Sequence, residues 1–397
     1  MKILYITTAY QRSESDVITP WLVETITRLR SVGHDVRVFT SSYRGLGNQT
    51  VAGVPVYRFR YFLKRWEDLT HDEMAMDRIK RGIRYKLLLI SYLLCGTAAA
   101  RRLCRRERFD IIHVHWPLPH SLFGSAAARA CDAPTVISFH GAELMVVNNV
   151  VKLAKPFLRW AIRTAGAVTA NSTHTVQAVQ RIYDRPVTIV PFGTAAGAYS
   201  ELDQSKPDGT KQLLFVGRLV ERKGIPYLIE AVDILAKQIP VNLSIVGSGP
   251  EEPRLKELAR SRGLEQSITF HGRISQEELT RQYSRCDAFV LPAIIDSRGD
   301  TEGLGVVIIE AMSHRRPVVA SGVGGIVDLV IDERTGLQVP QKDSQALARA
   351  IARVLTDPDL AQRLGRAGYE HVQQNYSWPA IVARLEHVYG DLLTRPS

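Results

Sequence analysis

The sequence predicts an α/β protein of two Rossmann-like domains, each an open parallel sheet with helices on both faces. Three observations carry this. Short apolar runs alternate with helical patterns along the whole chain, and such alternation builds parallel sheets buried on both faces. The pattern breaks once, at the polar stretch SELDQSKPDGTK (200–211), and then starts again. The 397 residues exceed one ordinary core and suit two domains of about 200 residues each.

Residues 2–8 read as a buried parallel strand. Trp21, Leu22, Ile26 and Leu29 place a helix over 21–32, Gly33 stops it, and 35–40 is the next strand. The chain therefore opens with a βαβ unit. Further strands are expected at 111–115, 135–138, 167–170 and 187–190. After the polar stretch, 212–216 reads as a strand, 224–238 as a helix and 242–246 as a strand. Strands at 267–271, 288–291, 317–320 and 336–339 follow, then amphipathic helices at 344–355 and 380–393. The expected domains are 1–195 and 196–375, with 376–397 a helix returning to the N-terminal domain. Ligands of open α/β sheets lie beyond the carboxyl ends of the strands. Two such domains facing each other make a cleft lined by those loops.

Apolar content of 45% and charge of 23% are those of a globular protein and exclude disorder. Cys95, Cys104, Cys131 and Cys286 are scattered with no Cys-x-x-Cys, which argues against a zinc site or disulfide framework and fits a reducing cytoplasm. The start, MKILYITTAY, lacks the pattern of a signal peptide. The longest apolar stretch, 83–100, is interrupted by Arg84 and Lys86 and falls short of a bilayer span. The expectation is a cytoplasmic protein, peripheral at most to the inner face of a membrane. The net charge of +11 is uneven: residues 1–200 hold 27 of the 51 Lys/Arg but 14 of the 40 Asp/Glu. That half is expected to meet something anionic. No recognised nucleic-acid module is present, so nucleic acid is not the expected partner.

Two segments carry chemistry. In FVGRLVERKG (215–224) a strand ends in Gly217, and Arg218 and Lys223 flank a short loop before a helix. Two cations and a helix N-terminus can converge on one anion, although an isolated Arg-x4-Lys is more often a solvated basic loop. In TEGLGVVIIEAM (301–312), Glu302 precedes a glycine loop and Glu310 lies eight residues on. A helix starting near Gly305 puts Glu310 in its second turn and makes the amides of Gly303, Leu304 and Gly305 an anion nest. A glutamate amid VVIIEAM needs partners if it is buried.

FVGRLVERKG, followed about 80 residues later by EGLGVVIIEAM and then by PVVASGVGGIVDLV and GLQVP, resembles glycosyltransferase family 4. The resemblance extends into the N-terminal half through KILYIT, LRSVGHDV, DIIHVHW, PTVISFHGAEL and VTANSTHTVQAV. It implies a GT-B fold, two Rossmann-like domains facing across a cleft, and transfer of a sugar from a nucleoside-diphosphate sugar with retention of anomeric configuration. Arg218 and Lys223 would neutralise the leaving diphosphate, and Glu310 would hold the ribose. Glu302 with the amides of Gly303, Leu304 and Gly305 would bind the donor sugar. The loop 271–274, with Arg273 and Ile274, would cradle the base, and Gly217 and Gly247 complete the donor site. His140, in SFHGAEL, would contact the sugar and the reacting centre. No metal or other cofactor is expected, because cations and a helix end can stabilise the leaving diphosphate.

The remaining candidates read as structural. Asp357-Pro-Asp359 is the one Asp-x-Asp, in an expected turn where Asp commonly caps. His113, His115 and His120 lack an obvious carboxylate partner and are expected to line the cleft. Three departures from the family pattern stand out. The first loop, AYQRSESDVITPW, has no glycine, the Gly-Gly pair is followed by Asp328 where Glu is usual, and PFGTAA lacks the usual Asp. Competing readings are a GT-B nucleotide-sugar 2-epimerase, which the Arg218, Lys223, Glu302 and Glu310 set opposes, and a non-catalytic nucleotide binder. A dinucleotide-dependent dehydrogenase lacks its Gly-x-Gly-x-x-Gly after the first strand.

The acceptor is addressed by the basic half. Residues 58–108 hold 14 Lys/Arg against 6 acids, mixed with Tyr57, Phe59, Tyr61, Phe62 and Trp66. The apolar stretch 83–100 is followed by RRLCRRER. It reads first as a core helix with solvated ends, and second as a helix lying in an anionic membrane surface. The cation excess favours a lipid-linked or phosphorylated glycan acceptor.

Overall fold

The computed structural model describes residues 1–16, 18–72, 75–141, 143–144, 154–193 and 209–394. The expected linker from 200 to 208 and the TAA of PFGTAA lie outside them. The chain divides into two compact units, Met1–Gly193 with Ile381–Ser397, and Thr194–Ala380.

The first unit is built on an eight-stranded sheet. Its elements are β1 (Lys2–Ile6), α1 (Pro20–Ser31), β2 (Asp35–Ser41), β3 (Gln49–Val51), β4 (Val54–Phe59), α2 (Ala75–Lys80) and α3 (Ile83–Arg106), then β5 (Ile111–His115), α4 (Pro117–Cys131), β6 (Thr135–Phe139), α5 (Ala154–Thr164), β7 (Ala167–Ala170), α6 (Thr173–Gln180) and β8 (Thr188–Ile189). The strand order is β3-β4-β2-β1-β5-β6-β7-β8, and among the described strands of this sheet only β3 runs antiparallel to its neighbour. Order reverses between β1 and β5, the crevice where doubly wound sheets take ligands. Ile3, Leu4, Tyr5 and Ile6 are all fully buried, as a central parallel strand requires.

The second unit begins with β9 (Lys211–Val216), α7 (Ile225–Leu235), β10 (Val241–Val246), α8 (Glu252–Ser261), β11 (Ile268–Gly272), α9 (Gln276–Arg285) and β12 (Ala288–Leu291). It continues with α10 (Val306–Ser313), β13 (Val318–Ser321), β14 (Leu337–Val339), α11 (Ser344–Thr356) and α12 (Pro358–Asn375). The final helix is α13 (Trp378–Thr394). The six strands lie in the order β11-β10-β9-β12-β13-β14, all parallel. This is the Rossmann order, with its switch point between β9 and β12. Asp357 caps α12 by accepting the Leu360 N–H at 2.9 Å, so its carboxylate has a structural task.

From Ile381 onward α13 belongs to the first unit. Tyr389 is fully buried there, its hydroxyl 2.7 Å from that of Tyr5 and 2.8 Å from His113 Nδ1.

Two expectations need correction. The stretch read first as a core helix is the 24-residue α3, long and apolar enough to cross a membrane by length and composition alone. It fully buries one stripe, Leu88, Tyr92, Gly96, Ala100 and Cys104, at intervals of four, and Tyr85, Leu89, Leu93 and Leu103 pack partly against the same core. Gly96 sits there because a Cβ would stand 2.4 Å from the Phe123 ring. Four large aliphatic side chains point the other way: Ile83, Leu87, Ile90 and Leu94 are 55–70% exposed. His113, His115 and His120 do not line an open surface, being at most 4% exposed. His120 Nε2 is 3.0 Å from Tyr92 Oη, and His113 Nε2 is 2.6 Å from Ser138 Oγ. Buried polar rings find partners in this way.

Candidate functional site

In the second unit the site residues collect at the carboxyl ends of β9, β10, β11 and β12. Gly217 ends β9 at φ +154 and donates its N–H to Val246 O at 2.9 Å. Gly247 ends β10 at φ +129, and a Cβ there would lie 1.9 Å from Gly217 O. Only glycine allows these two backbones to touch. Gly247 N–H in turn donates to Gly272 O at 2.7 Å, tying in the end of β11. The next turn, with Arg273 exposed and Ile274 partly buried, is joined to this lattice by Arg273 Nε, 3.4 Å from Ser248 Oγ.

The loop after β9 separates its cations. Arg218 is exposed and has no side-chain ion pair among the described residues. Lys223 is 6% exposed. Gly224, at φ +64, turns the chain into α7, and a Cβ there would meet Pro292 O at 1.9 Å. Lys223 Nζ donates to Glu302 Oε2 at 2.5 Å, and Arg222 Nη1 to the same oxygen at 3.2 Å. Burial alone would raise the Glu302 carboxyl. Lys223, Arg222 and the Gly305 N–H outweigh it and hold the group below the usual carboxylate range. Glu302, with 13% of its side chain exposed, is therefore a largely buried carboxylate held in its ionised form.

α10 starts at Gly305, φ +85, and Glu310 lies in its second turn. Gly305 turns its N–H to Glu302, so the expected nest of three amides is partly taken up within the loop. Gly324 and Gly325 hold this loop from behind: a Cβ on either would stand 2.1 Å from the carbonyl oxygens of Glu302 and Gly303 respectively. Gly325 N–H donates to Glu302 O at 2.9 Å. Glu310 is held by Tyr283, whose hydroxyl donates to Oε2 at 2.7 Å. Burial pushes the Glu310 carboxyl up, and the tyrosine only partly offsets it. Arg222 and Tyr283 are additions to the sequence reading. Arg222 was visible as a third cation in ERKG, whereas nothing near Glu310 in sequence announces Tyr283.

In the first unit His140 follows β6, beside the end of β5. Its ring stacks on His115 with centroids 5.2 Å apart, and its Nε2 is 3.0 Å from His115 Nδ1. Trp21, Trp116 and Phe192 surround it at centroid distances of 4.7, 5.0 and 5.6 Å. Burial pushes the His140 pKa down to about 3, so the imidazole is neutral at physiological pH. In the glycine-free first loop Arg12 pairs with Asp16 at 2.6 Å, so the loop is tied down by an ion pair. Among the described residues no group of three or more His, Cys, Asp or Glu has a metal-binding arrangement.

Residues 21–195 match the profile of Glycosyltransferase Family 4, and residues 201–371 that of Glycosyl transferases group 1. The chain is 35% identical over 304 residues to a GDP-mannose-dependent alpha-(1-6)-phosphatidylinositol monomannoside mannosyltransferase of Mycobacterium tuberculosis, covering 73% of this chain and 78% of that protein. It is 28% identical over 389 residues to a glycogen synthase of the same organism, covering 91% and 88%. Among solved structures, sucrose-phosphate synthase from Thermosynechococcus elongatus superposes with a TM-score of 0.74 at 24% identity, covering 98% of each chain. The chain belongs to the broad family-4-like group of GT-B glycosyltransferases, which transfer a sugar from a nucleoside-diphosphate sugar to an acceptor.

Proposed function

We propose that the chain is a retaining, metal-independent hexosyltransferase acting on a lipid-linked or glycoconjugate acceptor at an anionic membrane surface. The observation that carries the donor half is the Lys223–Glu302–Arg222 cluster at the carboxyl end of a Rossmann sheet. Breaking a sugar–phosphate bond builds negative charge on the departing diphosphate. Lys223, held in advance by the Glu302 carboxylate and the Gly224 turn, and the exposed Arg218 are the cations that would meet it. Glu302 and the Gly303 amide would hold donor-sugar hydroxyls, and Glu310 the ribose, with Tyr283 orienting it. Gly217 and Gly247 let the nucleotide approach backbone, and the turn at 271–274 would hold the base. His140 would face the reacting centre as a neutral hydrogen-bonding group. Retention follows from the family resemblance, in which the leaving diphosphate helps to deprotonate the acceptor on the same face.

The acceptor half rests on α3. Ile83, Leu87, Ile90 and Leu94 form one exposed apolar stripe at helical spacing. Arg101, Arg102, Arg105 and Arg106 are exposed at its far end. A groove of about 510 Å³ runs between Leu93, Leu94, Leu122, Arg101, Arg102 and Arg105. A helix with an apolar strip and a cationic end matches the interface of an anionic bilayer. Much of the remaining basic excess is spent internally: Arg60 pairs with Glu67, and Arg78 and Arg84 with Asp68. The relative that takes a phosphatidylinositol monomannoside has a lipid acceptor by name.

The test is sedimentation of the full chain with vesicles containing phosphatidylglycerol, together with mass analysis of a lipid extract incubated with nucleotide sugars. Sedimentation at low salt and release at high salt are expected, since each Arg near the surface contributes about 1 kcal/mol. Leu87→Glu with Leu94→Glu should abolish binding without reducing donor hydrolysis. A lipid mass increase of one hexose is expected. Failure to sediment at low salt rejects the membrane reading and moves a soluble glycan acceptor ahead.

A further inference from the structure

The turn after β6 holds a carboxylate that the donor chemistry does not use. Glu143 is 4% exposed. One of its oxygens, Oε1, accepts the His140 N–H at 2.8 Å and closes the turn, which is also tightened by Leu144 N–H donating to Gly141 O at 3.1 Å. Gly141 supplies the positive φ, +99, that the turn needs. The second oxygen, Oε2, is buried and has no hydrogen-bond partner among the described residues. Two ring nitrogens share that state: Nδ1 of His140, whose backbone N–H meets Oε1, and Nε2 of His115, whose ring stacks on His140. A buried acceptor without a partner is costly, so such an atom calls for one, whether a water, an ion or a ligand. Here the unpaired atoms belong to residues at the carboxyl ends of neighbouring parallel strands, β5 and β6, where doubly wound sheets bind ligands. Trp21, Trp116 and Phe192 pack around His140. Ring faces beside unpaired polar atoms suit a pyranose, which presents C–H faces and hydroxyl edges.

We propose that Glu143 is a specificity-determining ligand for a sugar hydroxyl: Oε1 shapes the His140 turn and Oε2 accepts from the substrate. The inference rests on the glycosyltransferase reading, since it needs a sugar substrate. It assigns a role to a residue that the donor motifs leave out. The hydroxyl could belong to the donor sugar or to the acceptor sugar, and the chemistry is the same.

The experiment uses full-length wild-type, Glu143→Ala and Glu143→Gln proteins. Calorimetric titration with UDP, GDP, UDP-glucose and GDP-mannose probes the donor arm. Saturation-transfer NMR with free glucose, galactose and mannose, in the presence of nucleoside diphosphate, probes the acceptor arm. If the donor sugar is held, Glu143→Ala loses affinity for the nucleotide sugar by about tenfold to a hundredfold. Its affinity for the matching nucleoside diphosphate stays as in wild type. If the acceptor sugar is held, both nucleotide affinities stay and the monosaccharide signal disappears. Glu143→Gln keeps an acceptor for the His140 N–H. It is the variant that separates loss of the ligand oxygen from collapse of the turn, and it should show an altered preference among the sugars with an unchanged melting temperature. Wild-type sugar binding left unaltered in both variants overturns the proposal. A wild-type protein that binds no nucleotide sugar or monosaccharide contradicts the underlying reading instead.

Discussion

Lys223→Ala is expected to lower kcat by about a hundredfold or more, which is about 3 kcal/mol of transition-state stabilisation. Donor affinity should fall much less. The diphosphate carries its extra charge mainly as the bond to the sugar breaks, so a cation aimed at it acts on the transition state more than on the ground state. The structure adds a second consequence. Lys223 is the nearer of the two cations on Glu302, at 2.5 Å against 3.2 Å for Arg222. Removing it leaves a largely buried carboxylate, 13% exposed, with its weaker partner, so the unit should also lose about 2 kcal/mol of stability, below the usual cost of breaking a fully buried pair because Arg222 remains. Steady-state kinetics with donor titration, beside chemical denaturation, separates the two effects. A rise in KM at constant kcat would show that Lys223 only helps binding.

Acid should unfold the first unit well before the second. Five histidines of that unit are held neutral by burial. His71, His113 and His140 are pushed down to about 3 and His120 to about 4, with His115 well below its usual value. A depressed folded-state pKa means that the unfolded chain binds more protons over the interval between the two values. The stabilisation is therefore complete above pH 6.5 and is lost progressively as the pH falls. At pH 5, each of His71, His113, His120 and His140 should cost about 2 kcal/mol relative to neutral pH. Glu143 acts in the opposite sense: burial lifts it to about 7, so the folded state gains a proton between pH 7 and its unfolded value near 4.5. That offsets little more than one histidine. The net loss of several kcal/mol is comparable to the whole stability of a domain. Trp21, Trp66, Trp116 and Trp160 lie in the first unit and only Trp378 in the second. Tryptophan fluorescence during a pH titration therefore reports the first unit. A melting temperature unchanged between pH 7.5 and pH 5 would contradict the burial of these rings.

The parallel strands were legible because their apolar runs are continuous, as in residues 2–6 and 288–291, and strands buried on both faces need no alternation. The hairpin β3–β4 was not. Its first strand has three residues, and its two-residue turn uses Ala52 at φ 48 before Gly53 at φ 76, so the usual Asn-Gly signal is missing. α12 was hidden by its own packing: Gly365 and Gly368 lie on its buried face, and a Cβ on Gly365 would stand 2.3 Å from Arg315 O. Glycines in a helix interior read as breakers until the close neighbour is known. For α3, composition gave an apolar helix but not its direction, and four of its large aliphatic side chains, Ile83, Leu87, Ile90 and Leu94, prove to be on the solvent side. In the site, glycine loops and cations stood out as local motifs. The partnerships Lys223–Glu302 and Tyr283–Glu310 cross 79 and 27 residues of chain, and pairs at that distance carry no periodic signal.

The central claim is that side-chain cations of the second unit do the electrostatic work on the leaving diphosphate. Its most direct test is turnover of a nucleotide sugar by the wild-type protein after exhaustive treatment with EDTA, read as nucleoside diphosphate released. Lys223, Arg218 and the start of α10 are protein groups and cannot be chelated, so the rate should match that of the untreated enzyme. Complete loss of turnover, restored by manganese or magnesium, would contradict the account.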